Sequence, residues 1–215
     1  APGACVKVAL DIEGGLGTLS CISFAIDGER AFIVPLTRAD GTSLWSLEEE
    51  VQVWRALAAV VSNPRIPKVL QNYLYDAMVL AYSYHMPILG LVDDTMLKHW
   101  EVLPEFEKAL NVQSSLYLPD QPYWKDARST TGDSLWQYCC TDSVVTHRIN
   151  THIATMLSAV YGSTGALARD HYTFNVALLP AFLYMQLRGM AFDSDRAARL
   201  CAELDDEIYT LQHKC

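Results

Sequence analysis

The strongest constraint on the fold is a change of hydrophobic period along the first hundred residues. Cys5 to Ile12, Leu19 to Ile26 and Arg30 to Leu36 are short β-rich runs, and Asp27-Gly28 between the last two is a tight-turn pair. They predict a three-strand antiparallel meander. The period then lengthens. Ser46 followed by Glu48, Glu49 and Glu50 marks a capped helix start, and Val51, Trp54, Leu57 and Val61 carry helical spacing up to Asn63-Pro64. Lys68 to Gln71 reads as a buried strand, Tyr73 to His85 as a helix ending before Pro87, Leu89 to Val92 as a strand, and Asp94 to Trp100 as a helix. The order βββ-α-β-α-β-α-α is that of an α/β sheet, mixed because its first strands are hairpins.

From Asn111 to Gly132 the sequence is polar and carries Pro119, Pro122 and Gly132, so it predicts loop. Asp133 to Tyr161 is a long helical pattern expected to start at an Asp cap. Gly162-Ser163-Thr164-Gly165 is the best boundary, dividing the chain into 1–161 and a helical extension, 162–215, that is interrupted at Gly189 and Phe192-Asp193.

Composition limits what such a domain does. The 215 residues hold 16 Lys plus Arg against 25 Asp plus Glu, a net charge of −9, with 51% hydrophobic residues. A chain this acidic lacks the clustered cations that neutralise duplex phosphates, but a site that grips nucleic acid through metal ions is itself built from carboxylates. The six cysteines form no C-x-x-C, so neither zinc spacing nor a disulfide framework is indicated, and the expectation is a reducing intracellular compartment. The longest apolar stretch, Val176 to Leu187, is broken by Pro180 and too short to span a bilayer, so no membrane partner is expected. The absence of an initiator Met and the early first strand suggest a piece of a longer chain.

Three groups of residues carry chemistry. Asp11 and Glu13, two apart near the end of the first strand, share one face, where two carboxylates repel unless a cation or proton compensates. Asp76 lies early in a helix, with Asn72 four residues before it. Tyr138 and Asp142, four apart, share a helix face. Taken singly, these read as a solvent-facing strand end, a macrodipole partner and an ordinary amphipathic helix. Their order and spacing together are specific.

That order resembles the three motifs of the DEDD exonuclease superfamily, in its Tyr-containing subclass, as found in the proofreading domains of family A DNA polymerases. The matching stretches are Val8 to Glu13, Leu70 to Asp76 and Tyr138-Cys139-Cys140-Thr141-Asp142, with Asp94-Thr95-Met96-Leu97 similar to a segment these domains carry after their second motif. The His subclass would place His where Gln137 stands. Leu178 to Asp193 resembles the junction between exonuclease and polymerase domains, and Pro122 to Asp126 looks like phage-type members. One departure is Gly14, where many relatives have Thr, in a Gly14-Gly15-Leu16-Gly17 run that reads as flexible.

The resemblance implies a ribonuclease-H-like mixed sheet flanked by helices, with residues 1–161 as the 3′–5′ exonuclease domain and 162–215 as linker and start of a thumb-like polymerase region. It implies two Mg²⁺ or Mn²⁺ ions, with Asp11 bridging them, Glu13 and Asp142 completing the site of the nucleophilic water, and Asp76 acting mainly through water on the second ion. Tyr138 would orient the attacking water. Asn72 would contact substrate or position Asp76, Leu16 would be the residue that wedges against the terminal base, and Lys125 is either a phosphate contact or a solvated loop lysine. The partners implied are a single-stranded DNA 3′ end and a polymerase domain of the same parent chain, in the cytoplasm of a bacterial or phage-infected cell, with an organelle left open. A ribonuclease D-like RNA exonuclease and an inactive nucleic-acid-binding module are the alternatives. His85, His99 and His147 read as structural or exposed, Trp54, Trp100 and Trp136 as core, and Glu107, Glu203, Asp205 and Asp206 as solvated.

Overall fold

The computed structural model describes residues 6–128, 132–161 and 166–213. Cys5, the Gly162-Ser163-Thr164-Gly165 boundary and Cys215 lie outside them. Five strands, β1 (Val8–Gly15), β2 (Thr18–Ala25), β3 (Ala31–Pro35), β4 (Lys68–Leu70) and β5 (Leu91–Asp94), form one sheet in the order β3-β2-β1-β4-β5. The β1–β2 and β2–β3 pairs are antiparallel, as the turn signals require, whereas β4 joins β1 and β5 joins β4 in parallel through helical crossovers. The α/β mixed-sheet expectation is met.

The helices are α1 (Leu47–Val61), α2 (Tyr73–Tyr84), α3 (Thr95–Val102), α4 (Leu110–Tyr117), α5 (Gly132–Tyr161), α6 (Ala166–Arg188) and α7 (Ser194–Gln212). Ser46 starts α1 with a full capping box, its hydroxyl accepting from the Glu49 amide while the Glu49 side chain accepts from Ser46 N–H. Such a cap contributes about 1 kcal/mol.

Alternation along the strands gives the sheet two different faces. Leu10, Ile12, Ile22, Phe24 and Leu70 face one way and form the main core with Leu57 and Val61 of α1 and Ala77 and Leu80 of α2. The other face carries small residues, Ala9, Cys21, Ser23 and Ala25, all without solvent exposure, and the long helix α5 lies across β1, β2, β3 and β4 there. Small side chains let the helix backbone approach the sheet. Ser23 Oγ donates to the carbonyl of Cys139 on α5 at 2.9 Å, a contact that a larger residue would prevent.

Four expectations are corrected. Within 111–132 the loop, with one 3-10 turn, holds only from Leu118 to Arg128, because α4 spans Leu110–Tyr117 and buries Leu110, Gln113, Ser114 and Tyr117 at helical spacing. Two of those four are polar, which hid the period; Gln113 Nε2 donates to the Lys108 carbonyl and to Gln71 Oε1. The fifth strand begins at Leu91, not Leu89, because Gly90 turns at φ +77° and the pairing starts after it. It runs on through Asp93 and Asp94, whose burial is compensated by Lys7, Lys98 and helix-capping amides. Asp133 does not cap α5 but sits in its first turn, near the positive end of the helix dipole. Trp100 is also not core, being 43% exposed and resting against His171.

Helix α6 packs onto α2, α3 and β5, with Leu179 and Leu183 entering the main core. Tyr172 Oη accepts from the Asp94 amide at 3.0 Å and donates to Asp93 Oδ1 at 3.1 Å. Gly189, at φ +66°, ends α6, and Asp193 caps α7, which buries none of its side chains. Among the described residues no helix is long and apolar enough to cross a membrane.

Candidate active site

Period two along β1 puts Asp11 and Glu13 on the same sheet face as Ala9, the one covered by α5. From α5, Tyr138 and Asp142 reach the same place, one turn apart. Asp11, Glu13 and Asp142 each offer a carboxylate oxygen, and the three oxygens lie within 4.8 Å of one another. The clustered carboxylates are partly buried at Asp11 and buried at Glu13 and Asp142.

Burial holds Asp11 well above the usual carboxylate range, and the charges of Asp142, Asp76 and Glu13 push it further the same way. Glu13 and Asp142 are raised too, first by burial, though each has a cation opposing the rise. These cations come from one short segment, the 3-10 turn Lys125–Ala127 and the next residue. Lys125 Nζ donates to both Asp142 oxygens at 2.9 and 2.7 Å and to the Tyr138 hydroxyl oxygen at 2.7 Å. Arg128 donates to Glu13 Oε2 at 2.9 Å, and Trp124 Nε1 donates to Asp142 Oδ1 at 2.6 Å. Burial lowers the Lys125 ammonium, but Asp142 outweighs it and the net shift is upward. Lys125 is therefore no solvated loop lysine; its side chain is 21% exposed and sealed against the carboxylates.

Asp76 is buried in the first turn of α2 and stands beside the triad, where its charge acts on Asp11. Burial raises it strongly, and the backbone amides of Asp76 and Ile12 pull the other way. Asn72 is exposed at the N-cap of α2 in the left-handed region, φ 63° and ψ 58°, and its side chain makes no capping hydrogen bond. Leu16 lies in the β1–β2 turn, 55% exposed. That turn is not the flexible run the glycines suggested. Gly14, at φ +141° on a bulge after Glu13, has no room for a Cβ because the Thr18 carbonyl oxygen fills it. The Tyr75 hydroxyl donates to the Gly14 carbonyl and Ser83 Oγ accepts from Gly17 N–H at 2.9 Å, so α2 holds the turn from two points.

Sequence reasoning missed Trp124, Arg128 and Cys139. Lys125 and Arg128 are three apart in a polar loop, a spacing with no meaning until a 3-10 turn places both on one side. Cys139 follows Tyr138, and its thiol points back to the sheet, 3.4 Å from Asp11 Oδ2 and 3.2 Å from Ser23 Oγ. The donors offered for a metal are all hard carboxylate oxygens, and among the described residues no Lys or Arg pairs with Asp11. A partly buried carboxylate crowded by three others and lacking a cation suits a small divalent ion such as Mg²⁺ or Mn²⁺.

No protein-family profile and no curated protein sequence matches this chain. Solved structures do. Brucella melitensis NrnC with bound Mg²⁺ is 15% identical, aligns over 88% of this chain and 90% of its own, and superposes with a TM-score of 0.59. The POL domain of Pol1 from M. smegmatis, in complex with DNA primer-template and dNTP, is 17% identical over 94% of this chain but only 32% of its own, with a TM-score of 0.65. Escherichia coli RNase D, an exoribonuclease involved in structured RNA processing, is 15% identical over 86% and 46%, at 0.53. The sheet order, the crossovers and the helix across the small-residue face are thus those of the ribonuclease-H-like exonuclease fold.

Proposed function

We propose that the chain is a metal-dependent 3′–5′ exonuclease that removes nucleoside 5′-monophosphates from single-stranded DNA 3′ ends, as the proofreading part of a longer family A DNA polymerase. The observation that carries the reading is the meeting of Asp11, Glu13 and Asp142 under α5 with the Tyr138 hydroxyl at the same spot. Asp11, Glu13, Asp76 and Asp142 would hold two Mg²⁺ or Mn²⁺ ions, which when bound supply a lowered water pKa and neutralise charge on the phosphoryl and leaving oxygens.

The protein's own groups do the rest. Lys125 spends one N–H on the Tyr138 oxygen, so the phenol's own proton is left to point at a water or a phosphate oxygen. Burial raises the Tyr138 pKa, so the phenol stays protonated and orients the nucleophile without removing its proton. Lys125 and Arg128 neutralise Asp142 and Glu13 while no metal is bound. With a divalent ion held by those carboxylates, Lys125 and Arg128 would be free to meet the phosphodiester, which needs cations. Asn72, four residues before Asp76 at the start of α2, and exposed Leu16 on the tethered turn would contact the terminal nucleotide.

The polymerase part of the reading is supported by the alignment with Pol1, which covers 94% of this chain. One observation favours RNA instead: NrnC, a structure with pGG bound, matches this chain over 88% of both lengths. A direct comparison decides between them. Matched 5′-labelled DNA and RNA single strands, and a DNA duplex with a paired or mismatched 3′ end, are incubated with Mn²⁺. Proofreading predicts faster shortening of DNA than RNA and faster loss of a mismatched than a paired terminus, because fraying supplies the single strand. Faster RNA trimming, or no preference for the mismatch, would overturn it.

A further inference from the structure

Helix α2 has an unusual start. Asn72 has the residue type of a good cap, but its left-handed backbone leaves its side chain out of the cap, so the first turn lacks its own acceptor. The acceptor comes from the end of β5. Asp94 Oδ2 accepts from the Tyr73 amide at 2.8 Å, and Oδ1 accepts from the Asn72 amide at 3.4 Å. The same carboxylate caps α3, with Oδ1 accepting from Met96 and Leu97 amides at 2.9 and 3.2 Å. Asp94 is 1% exposed and has no ion-pair partner among the described residues. Its own amide is held by Tyr172 Oη at 3.0 Å, so α6 braces it from behind.

Asp76 is the fourth residue of α2, one turn beyond the amides that Asp94 grips. We infer that Asp94 is a positioning residue for Asp76. It fixes the rotation and depth of the first turn of α2, so the Asp76 carboxyl stays against the Ile12 amide and beside Asp11. Tyr73, Ala77, Val79 and Leu80 hold α2 in the core, so loss of the Asp94 grip lets the first turn shift about the Tyr73 ring without undoing the helix. The inference rests on the reading of Asp76 as a holder of divalent metal.

The test is Mn²⁺ binding, followed by calorimetric titration of the 215-residue chain beside Asp94→Asn, Asp94→Ser, Asp76→Asn and the double Asp76→Asn/Asp94→Asn variant, with far-UV circular dichroism as the fold control. Asp94→Asn keeps an oxygen for α3 but turns N–H groups toward the Tyr73 amide; Asp94→Ser still caps α3 but is too short to reach α2. Both are expected to weaken Mn²⁺ binding about tenfold or more, as outer-shell partners do, and Asp94→Asn is expected to add nothing to Asp76→Asn. Where Asp94→Asn does not fold, Asp94→Ser decides. Unchanged Mn²⁺ affinity in Asp76→Asn would overturn the reading of Asp76 and the inference with it. A weakened Asp76→Asn beside folded Asp94 variants of unchanged affinity would overturn the inference alone, as would an Asp94→Asn effect of equal size with Asp76 already removed.

Discussion

Lys125→Met removes the ammonium that joins Asp142 to Tyr138 while keeping the length of the stem. Three hydrogen bonds are lost, two of them to a carboxylate whose side chain is only 7% exposed. Breaking a buried pair from one side costs about 3–5 kcal/mol because the other charge stays behind. Trp124 and Arg128 still face Asp142, and Lys125 is itself partly in solvent, so the cost at neutral pH should be about 2–3 kcal/mol. For a domain of this size that is a fall in Tm of about 4–12 °C.

The sign of the pH dependence follows from Asp142, whose pKa burial raises above the ordinary 3.8. Lys125 stabilises only the charged carboxylate, so its contribution is complete above that raised value and vanishes as pH falls through it. The gap between wild type and variant, measured by thermal melting with chelator, should close between about pH 8 and about pH 4. Saturating Mn²⁺ at pH 8 should close it as well, since an ion held by Asp142 would stand in for the ammonium. An equal gap at both pH values and with Mn²⁺ would refute the reasoning, because Lys125 would then act through packing alone.

Other outcomes follow from the same site. Asp11, Glu13, Asp76 and Asp142 all have raised pKa values, so the folded metal-free chain holds protons that the unfolded chain has released, and its stability should fall as pH rises from the ordinary carboxylate values through the raised ones. Asp93 and Asp27, both lowered and the latter to about 2, act in the opposite sense but at pH values below that window. Asp11→Asn should flatten the fall, and a Tm that climbs across the window in chelator would contradict it. Tyr138→Phe should lower kcat by about 10²-fold or less with Mn²⁺ affinity unchanged, since it removes an orienting hydroxyl and no metal donor; a parallel loss in calorimetric affinity would count against this role. Leu183→Ala on α6 should cost about 2–5 kcal/mol in urea denaturation as a truncation within the main core, and a neutral result would mean that α6 is not part of it.

The meander, the crossovers and the long helix were legible because each depends on local signals: Asp27-Gly28, the Ser46 cap, and the apolar period of Tyr73 to His85. Helix α4 was not, because half of its buried positions are the polar Gln113 and Ser114, and Gln113 leans on Gln71, distant in sequence. The carboxylates Asp11 and Glu13, and the pair Tyr138 and Asp142, were legible because strand and helix periods fix which face they occupy. What they face was not. The small residues Cys21 and Ser23 that admit α5, the 3-10 turn that aims Lys125 and Arg128, and the reach of Asp94 to another helix are properties of tertiary contact. Gly14 looked like looseness and is instead a bulge residue with a carbonyl where a side chain would be.

The central claim is that the Asp11, Glu13 and Asp142 cluster uses divalent metal to cut nucleic acid from its 3′ end. The most direct measurement is digestion of a 5′-labelled single-stranded DNA by the wild-type chain and by Asp11→Ala, each with Mn²⁺ and with chelator. The account predicts a ladder that shortens from the 3′ end for wild type with Mn²⁺, and intact oligomer in the other three reactions. A ladder that survives chelator or Asp11→Ala, or intact oligomer with folded, Mn²⁺-bound wild type, would contradict it.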